Sequence, residues 1–187
     1  MKQGNIPTPP VQFGDMFPDH MRRYVIWLVI LLGMAAVAWF SQKDSKEGPA
    51  KAGSSVFAKV DRVVDGDTAK VWVDGKDEYV RYIGIDTPES VKPDAPVECF
   101  GEEAKAFNER QLVESPTVRL VFDREQRDRY GRLLAYVYSG STLLQAELLR
   151  RGYATTLEVP PNTSRADQFG RLEDEARQAG RGLWSAC

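Results

Sequence analysis

Short alternating segments separated by tight turns constrain the fold of this chain more than any other feature. Residues 56–64 indicate a strand that ends at the turn signal Asp65-Gly66-Asp67. Apolar and polar residues alternate along Thr68–Val73, as expected for a strand with one buried face. Asp74-Gly75 then predicts a two-residue hairpin turn, followed by a third strand over residues 78–85. The pattern therefore predicts a three-stranded antiparallel meander.

The rest of the chain adds two strands and three helices. Residues 117–122 and 133–138 indicate strands, joined by a charged stretch. The spacing of apolar residues, together with terminal glycines, predicts helices over residues 102–113, 143–151 and 165–178. Five short strands interrupted by helices predict a small closed barrel with helical caps. The expected fold class is α+β, mainly β, for a domain that covers residues 56–187.

An apolar segment precedes this domain. Residues 24–40 (YVIWLVILLGMAAVAWF) carry no charge over 17 positions, near the lower limit for a helix that spans a bilayer. Arg22 and Arg23 precede it, so the positive-inside rule places residues 1–23, which we expect to be disordered, in the cytoplasm. We expect a single-pass transmembrane helix in the cell membrane with the C-terminal domain outside. Residues 41–55 are polar, with Gly, Pro and Ser, and are expected to be a flexible linker.

Two alternatives to the membrane anchor stay open. Ala36-Val37-Ala38 matches the small-residue pattern at which signal peptides are cleaved, and cleavage would release a secreted or periplasmic domain. The long leader before the apolar run argues against cleavage. A third interpretation is a buried helix of a soluble protein. The anchor and the cleaved signal both place the domain outside the cytoplasm.

Composition excludes several classes of site. The only histidine in 187 residues is His20, which precedes the apolar segment, so the domain has none for a zinc site or a His-dependent triad. From residue 56 onward, 23 Asp and Glu stand against 19 Lys and Arg. A nucleic-acid backbone would therefore have to meet a local arginine cluster rather than a large basic surface. The sequence leaves open whether Cys99 and Cys187 form a disulfide or remain thiols.

Three carboxylates lie in two short turns of the predicted meander. Asp67 opens one strand, while Asp86 and Glu89 follow a strand that pairs with it. If the hairpins pair as predicted, Asp67 and Asp86 meet at one end of the barrel. Two aspartates, a backbone carbonyl and waters would form an open Ca²⁺ site, because calcium takes about 6–8 oxygen ligands. Magnesium stays open as an alternative, although it prefers a stricter octahedron.

A carboxylate and two arginines complete this set. Glu89 follows Pro88, and a carboxylate near a metal-bound phosphate can orient or deprotonate an attacking water. Arg81 and Arg132 can donate paired hydrogen bonds to phosphate oxygens and stabilise the negative charge that builds on phosphorus. Each motif alone is more often a simple turn, loop or strand entry. Their combination in this order is far more specific.

With these motifs in place, residues 56–185 resemble the thermonuclease family, also called staphylococcal or micrococcal nuclease-like. The matching stretches are VVDGDTAKVWV, VRYIGIDTPES, FGEEAKAF, VFDREQRDRYGRLLAYVY, LLQAELLRRGYA and the C-terminal GLW. The resemblance implies an OB-fold barrel and calcium-dependent hydrolysis of phosphodiester bonds in DNA and RNA, in single-stranded or locally unpaired regions. It also implies that the 5′ oxygen leaves and that 3′-phosphates remain, and it implies no obligate protein partner.

The resemblance further implies a role for each motif residue. Arg81, Glu89 and Arg132 correspond to catalytic residues. Asp67, Asp86 and the carbonyl of Thr87 correspond to ligands of one Ca²⁺ ion, with Asp65 as an acid beside the metal. Arg129 and Tyr130 correspond to positions that contact the terminal phosphate of a bound nucleotide.

The chain also departs from the family pattern. Leu157 takes the place of a tyrosine that often stacks on the nucleotide base, and such stacking contributes roughly 1–3 kcal/mol, so we expect weaker nucleotide binding. Trp72 and Tyr136 are expected to serve packing rather than base stacking. The alternative functions are a non-catalytic OB-fold module that binds nucleic acid or protein at the cell envelope, and a structural role at the membrane.

Overall fold

A computed structural model describes residues 51–91, 96–114 and 116–187 of the protein. Within these ranges the chain forms eight strands and four helices. The strands are β1 (Ser55–Val63), β2 (Thr68–Val73), β3 (Lys76–Tyr82), β4 (Ile85–Asp86), β5 (Thr117–Val121), β6 (Leu133–Ser139), β7 (Thr142–Leu143) and β8 (Thr155–Thr156). The helices are α1 (Gly101–Glu114), α2 (Leu144–Arg150), α3 (Ala166–Gln178) and α4 (Leu183–Ala186).

Five strands close into a mixed barrel. The order β3-β2-β1-β5-β6 is antiparallel throughout, and a parallel pairing of β3 with β6 closes the ring, with Val80 opposite Leu133. β7 extends this sheet beyond β6, while β4 and β8 form a separate two-stranded ribbon. The closed five-stranded barrel with helices α1 to α3 has OB-fold architecture and confirms the predicted fold class.

Alternating side chains of the barrel strands form the core. Val71, Val80, Leu120 and Val137 come from four different strands, and each is at most 2% exposed. Because successive side chains of a strand point to opposite faces, every second residue is directed inward. Burial of each such side chain contributes roughly 1.5–3 kcal/mol. The alternation seen in the sequence is therefore the pattern that closes the barrel.

Helix α2 is attached to the barrel through a buried polar side chain. Gln145 is 0% exposed. Its Nε2 donates to the carbonyl of Ala135 at 2.9 Å, and its Oε1 accepts the backbone N–H of Val137 at 3.1 Å. Both partners lie on β6, so the amide substitutes for a neighbouring strand and satisfies two backbone groups that burial would otherwise leave unpaired.

The third predicted strand, residues 78–85, is wrong at its C-terminal end. β3 ends at Tyr82, and β4 starts at Ile85 as part of the other ribbon. Between them Gly84 has a φ of 83°, and a Cβ at this position would lie 2.8 Å from the ring of Phe169 on α3. The chain turns here because only glycine fits against this ring in a left-handed conformation. The turn carries Asp86 away from the barrel sheet.

Two other sequence expectations can be compared with the structure. Tyr136 is 3% exposed and packs in the core, as expected, but Trp72 is 52% exposed on the outer face of β2, so its predicted packing role is wrong. The cysteines, left open by the sequence, form a Cys99–Cys187 disulfide with their Cα atoms 5.9 Å apart. The Pro160–Pro161 peptide is cis.

The predicted tail and transmembrane helix, residues 1–23 and 24–40, lie outside the described residues. Among the helices of the described ranges, none combines the length and hydropathy needed to cross a bilayer. Of the predicted linker, 41–55, only the end is described. There Gly53 donates its N–H to the carbonyl of Phe122, and Phe122 donates its N–H to the carbonyl of Ser54, so the barrel edge already includes these residues.

Candidate active site

The two acidic turns meet at the start of β2. Thr68 pairs with Arg81 across β2 and β3, which places the Arg81 guanidinium beside the turn that precedes Thr68. Arg81 forms an ion pair with Asp67 through Nη1 and donates from Nη2 to Oδ1 of Asp86 at 2.6 Å. Asp67 and Asp86 are 19 positions apart in the sequence, yet both contact one guanidinium. The convergence expected from the meander is therefore observed.

Thr87, in the second acidic turn, also holds the side chain of Asp67 in place. Its Oδ2 accepts the backbone N–H of Thr87 at 2.9 Å and the Thr87 hydroxyl at 3.2 Å. Asp67 is only 4% exposed, so these hydrogen bonds and the Arg81 ion pair compensate for the burial of its charge. Gly66 makes room for this contact, since a Cβ there would lie 2.6 Å from Oγ1 of Thr87.

A buried network supports the first turn. Oδ1 of Asp65 accepts the N–H of Asp67 at 3.0 Å. Burial, and secondarily the nearby charge of Asp67, raise the pKa of Asp65 to about 6. The amide of Asn108 donates to the Asp65 carbonyl at 3.2 Å, while its Oδ1 accepts the hydroxyl of the buried Tyr82 at 3.1 Å. Helix α1 thereby holds the turn against the barrel.

Glu89 lies in the same cleft and is tied to Glu98. The N–H of Glu89 donates to Oε2 of Glu98 at 3.0 Å, and the N–H of Glu98 donates to the Glu89 carbonyl at 2.9 Å. The carboxylate of Glu89 is oriented as well, because its Oε1 accepts the N–H of Val91 at 3.0 Å.

Arg132 enters the cleft from the start of β6. Asp128 accepts its Nε at 2.7 Å and its backbone N–H at 2.9 Å. The guanidinium carbon lies 5.7 Å from the centre of the Tyr130 ring, and that of Arg129 lies 4.8 Å from the same ring. The Arg129 guanidinium also donates to the Tyr130 hydroxyl at 2.7 Å. Two cations and an exposed aromatic thus cluster at the mouth of the site.

These residues line one cleft of about 230 Å³. Its walls bring together the predicted catalytic, metal-binding and neighbouring acidic residues, namely Asp65, Asp67, Arg81, Asp86, Thr87, Glu89 and Arg132. The predicted phosphate-contact residues Arg129 and Tyr130 lie in an adjoining pocket of about 540 Å³, which shares Arg81 and Arg132 with the first. All the residues predicted for the site therefore fall in two contiguous cavities.

Comparison with known proteins identifies the family of this chain. The family model described as "Staphylococcal nuclease homologue" matches residues 79–186, more than half of the chain. The chain belongs to the staphylococcal nuclease family. It is 38% identical over 160 residues to a thermonuclease of Staphylococcus intermedius, covering 83% of this chain and 95% of that protein. It is 41% identical over 151 residues to endonuclease YncB of Bacillus subtilis (strain 168), covering 78% and 71%.

The larger pocket is where this member of the staphylococcal nuclease family departs from the expected pattern. Leu157 and Val159 line it together with Leu134 and Tyr130, so aliphatic side chains form much of its wall. Leu157 and Val159 are 41% and 57% exposed and can contact a base, but they lack a ring for stacking. Weaker nucleotide binding stays our expectation for this pocket.

The oxygen donors of the cleft suit a hard cation. Asp67 and Asp86 contribute carboxylates, and Thr87 lines the same wall. Within the described ranges no three Asp, Glu, His or Cys side chains form a group that could hold a metal ion. Arg81 pairs with both carboxylates, so a cation bound there would share their oxygens with the guanidinium.

Sequence reasoning missed two residues that orient the site. Asp128 has no role in the predicted site, yet it holds Arg132, and its four-residue spacing from that arginine was an available signal. Glu98 was not singled out at all, because it lies nine positions from Glu89 in the sequence and their contact leaves no local pattern.

Proposed function

We propose that this protein is a Ca²⁺-dependent nuclease that hydrolyses phosphodiester bonds of DNA and RNA. Water attacks phosphorus, the bond to the 5′ oxygen breaks, the leaving oxygen takes up a proton from water, and a 3′-phosphate remains. Membership of the staphylococcal nuclease family supports this class of activity. The observation that carries the proposal is the placement of Glu89, Arg81 and Arg132 around one cleft.

Glu89 is assigned to the attacking water. Its Oε1 is occupied by the Val91 N–H, so the carboxylate has a fixed direction and its other oxygen can accept a proton or a hydrogen bond from water. Arg81 and Arg132 are assigned to the phosphate. The Arg132 guanidinium is anchored by Asp128 through Nε, and donors held in advance stabilise developing charge without reorganisation during the reaction.

Asp67, Asp86 and the Thr87 carbonyl would hold the metal ion. When bound, Ca²⁺ supplies an electrophile that neutralises phosphate charge. Asp65 supports this set by fixing the Asp67 backbone. Arg129 and Tyr130, at the edge of the adjoining pocket, are assigned to a terminal phosphate of the bound strand.

We further propose that the domain works outside the cytoplasm, anchored by residues 24–40 or released after cleavage. The uncharged segment after Arg22-Arg23 supports export. The Cys99–Cys187 disulfide is consistent with it, because such bonds persist mainly in oxidising compartments. Cell fractionation with detection of product size tests both forms, since only the anchored one stays full-length in membranes.

The decisive experiment is digestion of single-stranded DNA and RNA by the full-length protein with end-group analysis of the products. We expect cleavage with calcium, none with a chelator, and 3′-phosphate ends. Glu89→Gln and Arg132→Ala should each lower kcat at least 100-fold. The matched controls Glu102→Gln and Arg171→Ala, at exposed helical positions, should retain full activity. Binding without turnover would instead favour the non-catalytic OB-fold module.

A further inference from the structure

The backbone of Glu89 is positioned by one short segment, Glu98–Gly101. Both polar groups of the Glu89 main chain are hydrogen-bonded to Glu98. The Glu89 N–H donates to the Glu98 carboxylate, and the Glu89 carbonyl accepts the Glu98 N–H. A shift of Glu98 therefore moves the backbone from which the Glu89 carboxylate projects. Because catalytic geometry tolerates displacements of only about 0.5 Å, such a shift affects turnover.

The other end of this segment packs directly beneath Glu89. A Cβ on Gly101, the first residue of α1, would lie 2.7 Å from the Glu89 carbonyl oxygen. Phe100 has a φ of 73°, a left-handed conformation that is uncommon for a bulky residue, and its ring packs 5.3 Å from that of Tyr153. A costly backbone conformation of this kind persists only where the surrounding structure enforces it.

The Cys99–Cys187 disulfide attaches this segment to the end of the chain. Cys99 directly follows Glu98, and both cysteines are exposed to solvent. The bond spans 88 positions, so it links the loop beside the catalytic glutamate to a part of the fold remote in sequence. Among the described residues Cys99 and Cys187 are the only cysteines, and neither is free.

The far end of the disulfide is itself fixed. Leu183, the first residue of α4, donates its N–H to the Gly152 carbonyl at 2.9 Å. A Cβ on Gly182 would lie 2.2 Å from that oxygen, which shows how closely the two backbones approach. Arg181 also donates to the carbonyl of Arg150 at 3.0 Å. The C-terminus is therefore an anchor on the turn after α2, not a loose tail.

We propose that Glu98 and the Cys99–Cys187 disulfide are a positioning device for Glu89, and that reduction of this disulfide lowers turnover. The inference rests on the proposed nuclease function. A dithiol reductant attacks one exposed sulfur, the S–S bond breaks, two thiols form on the protein, and the reductant leaves as its own disulfide. The Glu98 segment then loses its covalent link to α4, and the backbone of Glu89 is held less firmly in position.

Three variants of the full-length protein and one control variant test the positioning device by measurement of nuclease activity. Glu98→Ala and Cys99→Ser/Cys187→Ser should lower kcat roughly tenfold or more with KM little changed, because Glu89 acts on the water rather than on substrate binding. Glu98→Gln keeps an oxygen that accepts the Glu89 N–H and should retain most activity. Glu103→Ala, an exposed control on α1, should match the wild type.

A double-mutant cycle separates positioning from general structural damage. In a Glu89→Gln background, Glu98→Ala should cause no further loss of kcat, since the group it positions is already absent. An equal loss in both backgrounds would overturn the proposal. Urea unfolding of each variant establishes that it is folded at the assay temperature. Should the cysteine variant not fold, turnover and hydrogen exchange of the wild type before and after reduction decide the role of the disulfide.

Amide hydrogen exchange tests the same device without an activity assay. The Glu89 N–H should exchange slowly in the wild type and much faster after reduction or in Glu98→Ala, while core amides such as that of Val80 stay protected. Unchanged exchange at Glu89 would refute the device. If the wild type showed no nuclease activity, the proposed function would fail, and exchange would still decide whether Glu98 and the disulfide hold Glu89.

Discussion

Asp128 holds Arg132 by two hydrogen bonds, from Nε at 2.7 Å and from the backbone N–H at 2.9 Å. The same carboxylate accepts the N–H of Tyr130 at 2.9 Å, so it organises the whole turn before β6. Since the aspartate uses Nε, the Nη groups of Arg132 remain for a phosphate. Asp128 thus determines where the guanidinium of Arg132, the proposed phosphate-binding cation, points.

Asp128→Asn should lower kcat roughly tenfold, because the neutral amide weakens the charge-assisted bond to Nε while it can still accept the two backbone N–H groups. Asp128→Ala, which removes every contact, should cost more. Steady-state kinetics on single-stranded DNA measures both. Asp174→Asn, an exposed change on α3, is the matched control and should leave kcat unaltered.

Stability should depend on Asp128 at acid pH. Burial tends to raise the pKa of this carboxyl, but hydrogen bonds from Arg132 and Tyr130 outweigh it and lower the pKa below the ordinary value of 3.8. A depressed pKa contributes stability above the ordinary value, and this contribution is lost as the pH falls through the folded-state value. Urea unfolding at pH 6 and about pH 2.5 should therefore show a smaller loss for Asp128→Asn than for the wild type. An identical loss in both proteins would contradict the assignment.

Gln145→Leu should destabilise the fold by about 2–5 kcal/mol, since it leaves the buried N–H of Val137 and the carbonyl of Ala135 without partners. Urea denaturation measures the free energy of unfolding. Gln178→Leu at the exposed end of α3 is the control and should change stability by less than about 0.5 kcal/mol. Comparable effects of the two changes would mean that Gln145 does not join α2 to β6.

Gly66→Ala should impair the site more than the fold. The new Cβ would lie 2.6 Å from Oγ1 of Thr87 and would push this residue from Asp67. We expect the calcium concentration for half-maximal activity to rise about tenfold. Gly170→Ala is the matched change on α3, where no atom lies within 4 Å, and it should stabilise the protein by about 0.5–1 kcal/mol without affecting calcium dependence.

Calcium should raise the melting temperature of the wild type, because a ligand that binds only the folded state stabilises it by about 2.7 kcal/mol at 100 times its dissociation constant. Asp86→Ala should abolish this shift. The Asp86 side chain is 56% exposed, so its removal leaves the buried Asp67–Arg81 ion pair intact and the protein folded. Calorimetry with calcium or a chelator measures the shift, and a shift that survives in Asp86→Ala would place the ion elsewhere.

Short-range sequence patterns determined the individual strands, helices and turns of this protein. Alternation along Thr68–Val73 predicted β2 with its correct ends, and the helix predicted over residues 165–178 matches α3, Ala166–Gln178, to within one residue. The absence of histidine after His20 excluded whole classes of catalysis. The acidic turns, whose neighbours in space are set by two hairpins, could be assembled into a site because hairpin pairing is a short-range property.

Tertiary structure alone decided the contacts between distant segments. The ring of Phe169 packs against Gly84, 85 positions earlier, where the chain turns after β3. The disulfide joins residues 88 positions apart, and Glu98 contacts Glu89 from nine positions away. No periodicity encodes such contacts, because they depend on where barrel closure places each surface. The sequence thus specified which chemical groups the site contains, whereas packing of the helices on the closed barrel determined how those groups are held.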